Sequence, residues 1–271
     1  MKAMLSSTVI LIALTGSTLA CPLLLDKTAL QGGLLIGRVP VGSKVSVKGK
    51  TVRVSNGGFF LIGFGRDADP KTKLIALTRN GLSIKCTINV TKREYELERI
   101  DGLLERQVKP RAEDIKRIKA DNAAIARVRQ LDTTGTDFTA KFERPVNGRI
   151  SGKFGSQRIL NGKPKRPHNG VDIAAPEGTP IRAPASGVVV LVHPDMFYTG
   201  KTVMLDHGHG LTSVYVHMSV IGLEVGQRVK SGDVIGRVGK TGRATGPHLH
   251  WGVSLFSTHL DPELLVGRMH N

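Results

Sequence analysis

Aromatic residues are scarce in this sequence. Phe, Trp and Tyr make up 4% of its 271 residues. Surfaces that bind single-stranded nucleic acid stack bases on several exposed rings. The sequence also has no helix-turn-helix, zinc-finger or RRM signature. It therefore predicts no nucleic-acid partner.

Cysteine is almost absent, and histidine is missing from the first 167 residues. The two cysteines are Cys21 and Cys86. With no histidine near either of them, a cysteine nucleophile or a metal–thiolate site is not expected. If the chain is exported, the pair most simply forms one disulfide that closes a loop of about 65 residues. Two free or lipid-linked thiols are the alternative.

The sequence has no long hydrophobic run near its start, but it has a short one. The segment "VILIALTG" at residues 9–16 follows Lys2 and precedes the small residues Thr18 and Ala20 of "TLA". This arrangement predicts an export signal over residues 1–20 and a periplasmic or cell-envelope location. A retained membrane anchor is the alternative, although the run is short for a span. Lipidation of Cys21 is a weaker one, because no leucine stands three residues before it.

Acidic residues are far fewer than basic residues. Lys and Arg total 39 against 22 Asp and Glu, which gives a formal net charge of +17 and a pI near 10.2. Such a chain is attracted to polyanions. With nucleic acid set aside, the remaining partners are an anionic membrane surface or anionic polymers of the envelope.

After residue 20, the sequence divides into three parts. Residues 21–99 read as a small all-β domain, with valines alternating about Gly49 and a hairpin signal at Asn80-Gly81. Residues 100–143 read as a linker with a helix, because apolar residues recur at helical spacing between 110 and 131. Residues 144–271 read as short strands separated by Gly and Pro, which predicts a compact antiparallel β domain.

All nine histidines fall in this last part, and their spacing suggests a metal site. On a strand, His248 and His250 share one face while Leu249 and Trp251 occupy the other. A pair of surface histidines is the simpler interpretation, so partners are needed.

The segment "PHNGVDIAAP" supplies such partners. Prolines and Gly170 make a helix improbable, and in an extended chain His168 and Asp172 converge on one face. Two imidazoles and one carboxylate leave a fourth zinc position open for water. Iron in a two-His, one-carboxylate triad is an alternative. His217 stands on a further strand, with Tyr215 two residues earlier on the same face.

Together these motifs resemble a known family. They are His168-x-x-x-Asp172, Tyr215-x-His217-Met218-Ser219 and "VGQRVKSGDVIGRVGKTGRATGPHLHWGV" at residues 225–253. The chain is similar, over residues 146–262, to the lysostaphin-type (LytM-like) zinc endopeptidases that cut peptide cross-links in bacterial peptidoglycan. The resemblance implies a mainly β, barrel-sandwich type catalytic domain. It favours Zn²⁺ over iron.

The resemblance also implies roles for individual residues. His168, Asp172 and His250 correspond to the zinc ligands, and His217 and His248 to an unliganded catalytic pair. No H-E-x-x-H motif is present, so the general base is expected to be a histidine. His207 and His209 are not among the implied ligands, and His193, His259 and His270 are expected at the surface. We expect a monomeric peptidoglycan hydrolase; a non-catalytic wall-binding scaffold or amidase activator is the alternative.

Overall fold

The computed structural model describes residues 21, 23 and 28–266. The predicted export signal over residues 1–20 and His270 lie outside this range. Strands make up 43% of the structure and helices 12%, so the prediction of a mainly β fold with antiparallel sheets is confirmed. Among the described residues, no helix is long and apolar enough to cross a membrane.

In the described part of the chain, seven strands precede residue 92. They are β1 (Ala29–Leu30), β2 (Leu34–Arg38), β3 (Lys44–Val47), β4 (Lys50–Val52), β5 (Phe59–Gly63), β6 (Lys71–Leu77) and β7 (Ser83–Thr91). They form a five-stranded sheet in the order β1-β7-β6-β3-β4 and a separate β2-β5 pair. Both predicted hairpins are present: Gly49 (φ +78°) lies between β3 and β4, and Gly81 (φ +86°) lies between β6 and β7. Positive φ at these turns suits glycine.

A disulfide joins Cys21 to Cys86. Cys86 lies on β7 and packs against an apolar cluster that includes the fully buried Phe60 and Leu74. The bond therefore ties the first described residue to the core of the N-terminal sheet, as the cysteine count predicted.

Thirteen more strands follow between residue 92 and the last described residue, 266. They are β8 (Leu97–Ile100), β9 (Arg149–Gly152), β10 (Gln157–Leu160), β11 (Lys163–Pro164), β12 (Val171–Ala174), β13 (Pro180–Arg182), β14 (Gly187–Met196), β15 (Gly200–Asp206), β16 (Leu211–Ile221), β17 (Arg228–Val229), β18 (Val234–Val238), β19 (His248–Leu255) and β20 (Thr258–Leu260). Ten of them form one sheet along the path β17-β14-β15-β16-β19-β12-β9, with β13, β18 and β20 attached beside it. Strands β8, β10 and β11 form a three-stranded sheet in which β8 runs parallel to β10.

The helices are α1 (Glu105–Val108), α2 (Ala112–Val128), a 3-10 turn (Asp137–Thr139) and α3 (Glu263–Val266). Helix α2 is the predicted connector. It packs Val128, Ala124 and Ile125 against the outer face of the large sheet, where Val214 and Val216 are buried. Most of its basic residues face solvent, as predicted, although Arg117 pairs with Asp195 at 2.7 Å.

The inner face of the large sheet forms the main core. Trp251, Tyr215, Ile173 and Leu249 are fully buried there. Leu61 of β5 belongs to the same cluster, so the N-terminal strands pack directly on this core. An ion pair between the partly exposed Arg93 and the buried Asp261, 2.7 Å apart, joins the two regions as well.

Removing the disulfide tests how much this link contributes. A Cys21→Ser/Cys86→Ser double variant should lose about 2–4 kcal/mol of unfolding free energy, because a loop of 65 residues is no longer closed in the unfolded chain. Urea unfolding of both proteins gives the difference. A loss below about 0.5 kcal/mol would show that the bond contributes little to this fold.

Candidate metal centre

The register between β12 and β19 sets the centre. The two strands are antiparallel, and Asp172 is the direct cross-strand partner of His250, with Ala174 opposite His248. Directly opposed residues project to the same face of a sheet. Leu249 and Trp251 point the other way and are fully buried in the core. The predicted alternation of the two histidines with two apolar residues is confirmed.

His168 reaches the same point from the loop before β12. Its backbone N–H donates to Ser156 O and its Nδ1 donates to Lys153 O at 3.1 Å. A ring that donates from Nδ1 presents Nε2 as an unprotonated nitrogen. That Nε2 lies 3.1 Å from Asp172 Oδ1, so the predicted convergence of these two residues is confirmed.

Gly170 makes this close approach sterically possible. A Cβ at this position would stand 2.4 Å from the carbonyl oxygen of Trp251 and 2.9 Å from the ring of His250. Any larger residue would therefore push the loop that carries His168 away from β19.

Three donor atoms meet at the centre. Nδ1 of His250 lies 2.7 Å from Oδ1 of Asp172 and 2.9 Å from Nε2 of His168. All three residues are at least partly buried, and each offers one ligand atom to the cluster. A tetrahedral zinc site with bonds of about 2.0–2.2 Å has ligand–ligand edges of about 3.3–3.6 Å. The residues fit such an ion after the donor atoms move apart by less than about 1 Å.

The electrostatic surroundings favour the protonation states in which Asp172 and His250 can bind a metal ion. Burial alone would raise the pKa of Asp172, but the adjacent His168 and His250 hold it well below the usual range, so the side chain is a carboxylate. Burial lowers the pKa of His250 to about 4. At neutral pH the centre therefore presents a carboxylate and a neutral imidazole, the protonation states that metal ligation requires.

Arg158 holds the second oxygen of the carboxylate. Its Nη2 donates to Asp172 Oδ2 at 2.6 Å, and its Nε donates to Glu98 Oε2 at 3.0 Å. Arg158 is on β10 and Glu98 is on β8, so their position depends on the parallel pairing of these two strands. Neither residue is among the predicted site residues, because neither stands in a motif and 60 residues separate them.

His217 reaches the centre through a β-bulge. Tyr215 pairs with Val203 of β15, yet Met218 pairs with Lys201, so β16 has one extra residue here. His217 lies at this bulge and has a positive backbone φ of +63°. Its ring lies 4.7 Å from that of His248 and 6.4 Å from that of His250, centroid to centroid.

The prediction that Tyr215 and His217 share a face is therefore wrong. Tyr215 is fully buried in the core beside Trp251, and its hydroxyl bonds Ser213 Oγ at 2.8 Å. The bulge breaks the alternation of a regular strand. It turns the side chain of His217 to the opposite face.

Backbone carbonyls orient the rings of His217 and His248. Nδ1 of His217 donates to Thr241 O at 2.7 Å, and Nδ1 of His248 donates to Gly246 O at 2.8 Å. In its neutral form, each ring therefore has its unprotonated nitrogen at Nε2. Burial, and then the neighbouring His248 and His250, lower the pKa of His217 to about 3, so this ring is neutral at pH 7.

A cavity of about 490 Å³ opens in front of these rings. Its walls include Asp172, His217 and His248, with Arg158 and Arg243 beside them. The segment 98–103 forms another wall. A larger cavity of about 750 Å³ lies between the N-terminal strands and the loop 166–169, and neither His217 nor His248 lines it.

The remaining histidines lie elsewhere. His207 is fully buried and bonds Ser186 O and Ser213 Oγ, and His209 is buried against Phe138. His193 and His259 were expected at the surface, but both are half-buried. Burial lowers the pKa of His259 to about 4.

The sequence of this region matches known proteins. Residues 166–262 match the family model described as Peptidase family M23. The chain is 43% identical over 127 residues to the peptidoglycan DD-endopeptidase ShyA of Vibrio cholerae, covering 44% of this chain and 29% of that protein. It is 41% identical over 117 residues to the DD-carboxypeptidase/endopeptidase Mpg of Neisseria meningitidis, covering 43% and 27%. The match spans less than a third of these curated relatives.

A solved structure is similar over nearly the whole chain. It is a Pseudomonas aeruginosa protein classed as peptidase M23, with 32% sequence identity and a TM-score of 0.70. The alignment covers 89% of this chain and 96% of that one. The likeness therefore includes the N-terminal strands as well as the large sheet.

Alanine substitutions should distinguish the residues that bind the metal ion from the two neighbouring histidines that do not. His168→Ala and Asp172→Ala should lose bound metal on dialysis, because two donor atoms hold an ion much less tightly than three. His248→Ala should retain it, since its Nε2 is outside the three-atom cluster. Metal-to-protein ratios from mass spectrometry test this. Equal loss in His248→Ala would contradict the division.

Removing Arg158 should weaken metal binding without removing a ligand. An Arg158→Gln variant leaves Asp172 Oδ2 without its charged partner, and loss of such an outer partner typically costs about 10–100-fold in affinity. Arg237→Gln, which removes an exposed arginine that does not line the cavity, is the matched control. Competition with a chelating dye gives both affinities. Unchanged affinity in Arg158→Gln would show that the ion pair does not position the ligand.

The neutral, buried His217 should make the metal-free protein less stable in acid. Its folded pKa of about 3 lies below the unfolded value, so its contribution is complete above about pH 6.5 and is lost as the pH falls toward 3. Between pH 6 and 4, unfolding free energy should fall less steeply in His217→Gln, by about 1 kcal/mol per pH unit. Urea unfolding with a chelator present measures both slopes; equal slopes would refute the assignment.

Proposed function

The chain belongs to peptidase family M23, and from that premise we propose that it is a zinc-dependent endopeptidase that hydrolyses peptide cross-links of bacterial peptidoglycan. One observation carries the proposal. Three donor atoms of His168, Asp172 and His250 lie within 3.1 Å of one another, beside a cavity that also contains two rings with free Nε2 atoms.

Zinc is the metal that this donor set favours. Two imidazole nitrogens and one carboxylate oxygen suit Zn²⁺, whereas Mg²⁺ and Ca²⁺ prefer sites made mostly of oxygen. Three protein ligands leave one coordination position for water or substrate, which is the usual form of a catalytic zinc site.

His217 and His248 handle the proton in this proposal. When bound, the ion supplies Lewis-acid chemistry: it lowers the pKa of a water molecule and polarises a carbonyl group. The unprotonated Nε2 of either ring can accept the proton that the attacking water loses. A ring protonated in this way donates a hydrogen bond and stabilises the negative oxygen that forms on the scissile carbonyl.

The hydrogen bonds from Nδ1 to backbone carbonyls support this role. Because Thr241 O and Gly246 O accept the Nδ1 protons, both rings are held with Nε2 as the reactive nitrogen. We do not divide the roles of base and oxyanion donor between them. The two rings are 4.7 Å apart and flank the same space.

The chemistry of the cavity walls supports an acidic peptide substrate. Arg243 lines the cavity, with its guanidinium over the ring of Tyr198 at 4.4 Å. Arg99 lines the same cavity from the exposed side of β8. Guanidinium groups pair well with carboxylates, which stem peptides of peptidoglycan carry. Since ShyA and Mpg are named as acting on D,D bonds, we place the cut at a cross-link between D-amino acids.

We also propose an envelope location. Residues 1–20 have the features of an export signal. The Cys21–Cys86 disulfide supports an oxidising compartment, because structural disulfides persist mainly outside the cytosol. The proposed substrate, peptidoglycan, also lies outside the cytosol.

Digestion of purified peptidoglycan tests the proposal. Residues 21–271 incubated with sacculi and zinc should release fragments whose masses correspond to a cut peptide cross-link, and a chelator should stop the release. His217→Ala should lose at least 100-fold in rate while keeping its metal, as expected for a residue engaged in proton transfer. His193→Ala, at a half-buried histidine outside the cavity, is the matched control.

Two results would overturn the proposal. If the wild-type protein released no fragments while binding sacculi, the chain would be a wall-binding scaffold or an activator of another hydrolase. If His217→Ala remained fully active, the assigned chemistry would be wrong even with the correct product.

A further inference from the structure

The N-terminal sheet is strongly basic. Residues 28–93, all of which the structure describes, contain twelve Lys and Arg but only two acidic residues, Asp67 and Asp69. Both acidic side chains are already paired, Asp67 with Arg66 at 2.6 Å and Asp69 with Lys48 at 2.7 Å. Most of the positive charge of this region is therefore not neutralised within the chain.

Strand register collects this charge on one face. In β6, Lys71, Lys73, Ile75 and Leu77 are exposed, while the residues between them are buried. Ile75 lies between Ser46 of β3 and Lys85 of β7, and Leu77 lies between Lys44 and Ser83. The exposed side of strands β3, β6 and β7 thus mixes lysines with two large apolar residues.

Two turns extend the apolar part at one end of this face. Val41, in the turn before β3, is 67% exposed, and Leu82, in the turn before β7, is 58% exposed. The turns are adjacent, since a Cβ on Gly42 would stand 3.6 Å from Cδ of Arg79. We call the set Val41, Lys44, Lys73, Ile75, Leu77, Arg79, Leu82 and Lys85 the basic–apolar face.

This combination distinguishes between polyanions. Binding to a hydrophilic anionic polymer requires cations but gains nothing from exposed leucine and valine. Interfacial membrane binding combines buried apolar side chains with electrostatic attraction to anionic headgroups. Clustered exposed apolar side chains also commonly mark an interaction surface.

We propose that the basic–apolar face docks on the surface of an anionic phospholipid bilayer. Val41, Leu77 and Leu82 enter the boundary between headgroups and acyl chains, and the surrounding lysines contact the lipid phosphates. None of these residues lines the cavity at the candidate metal centre. Bilayer docking therefore leaves that cavity open, and it goes beyond the peptidase function proposed above.

Vesicle sedimentation tests the charge component. Residues 21–271 should bind vesicles of mixed phosphatidylglycerol and phosphatidylcholine but not phosphatidylcholine alone. Binding should weaken between about 0.1 M and 1 M salt, as the Debye length falls from about 10 to 3 Å. A Lys73→Gln/Lys85→Gln variant should bind roughly 20- to 30-fold more weakly, because each lysine near the surface contributes about 1 kcal/mol. Lys116→Gln/Lys119→Gln on α2 is the matched control.

A second variant tests the apolar component. Leu77→Ser/Leu82→Ser should bind the anionic vesicles roughly tenfold more weakly but bind soluble polyphosphate as the wild type does. Val225→Ser, at a 64% exposed position in another loop, controls for loss of an exposed apolar residue. Both leucines project into solvent, so folding should be preserved, and urea unfolding checks it.

A fluorescent reporter measures insertion directly. The chain has one tryptophan, Trp251, and it is fully buried. A tryptophan introduced by Leu82→Trp should shift to the blue on anionic vesicles and be quenched by brominated acyl chains, while Trp251 remains a constant background. Val225→Trp should show neither change.

Three outcomes would overturn the proposal. The first is equal vesicle binding by the Lys73/Lys85 variant and its α2 control. The second is wild-type vesicle binding by Leu77→Ser/Leu82→Ser, which would assign the face to a hydrophilic polyanion. The third is an unquenched tryptophan at position 82. Asp172→Ala, which lacks a proposed metal ligand, should bind vesicles as the wild type does. Vesicle binding and peptidase activity can therefore fail independently of each other.

Discussion

The direct pairing of Asp172 with His250 across β12 and β19 is the constraint on which the centre depends. A shift of β19 by one residue would turn His250 toward the core, away from Asp172, and bring Leu249 and Trp251 to the other face. The fully buried Trp251 and Leu249 therefore fix the register of β19. Hydrophobic packing on one face of the sheet thus determines the arrangement of polar atoms on the other.

Backbone geometry does most of the remaining positioning. Three of the imidazoles donate Nδ1–H to carbonyl oxygens, those of Lys153, Thr241 and Gly246. Because these carbonyls belong to loops and turns, ring orientation depends on loop conformation. The bulge at His217 also positions a ring through the backbone. One extra residue in β16 turns this imidazole toward the centre, whereas a regular strand would point it to the opposite face.

The N-terminal part of the chain contributes to the centre as well as to the proposed membrane contact. Glu98 on β8 holds Arg158, which in turn holds Asp172, and residues 98–103 form one wall of the cavity. The Arg93–Asp261 ion pair and the buried Leu61 join the N-terminal strands to the large sheet. A basic sheet that docks on lipid would therefore carry a firmly attached catalytic region with it.

The sequence alone was sufficient to predict the mainly β class, the two hairpins and the convergence of His168 with Asp172, because each depends on short-range pattern. It favoured a Cys21–Cys86 disulfide over free or lipid-linked thiols, and the structure decided between them. It did not predict the half-buried state of His193 and His259, and it placed Tyr215 on the wrong face. It also missed the Glu98–Arg158–Asp172 chain. These features were decided by strand order, by a bulge and by a parallel pairing between residues 60 apart. Such long-range choices depend on how whole strands pack, and local side-chain patterns do not specify them.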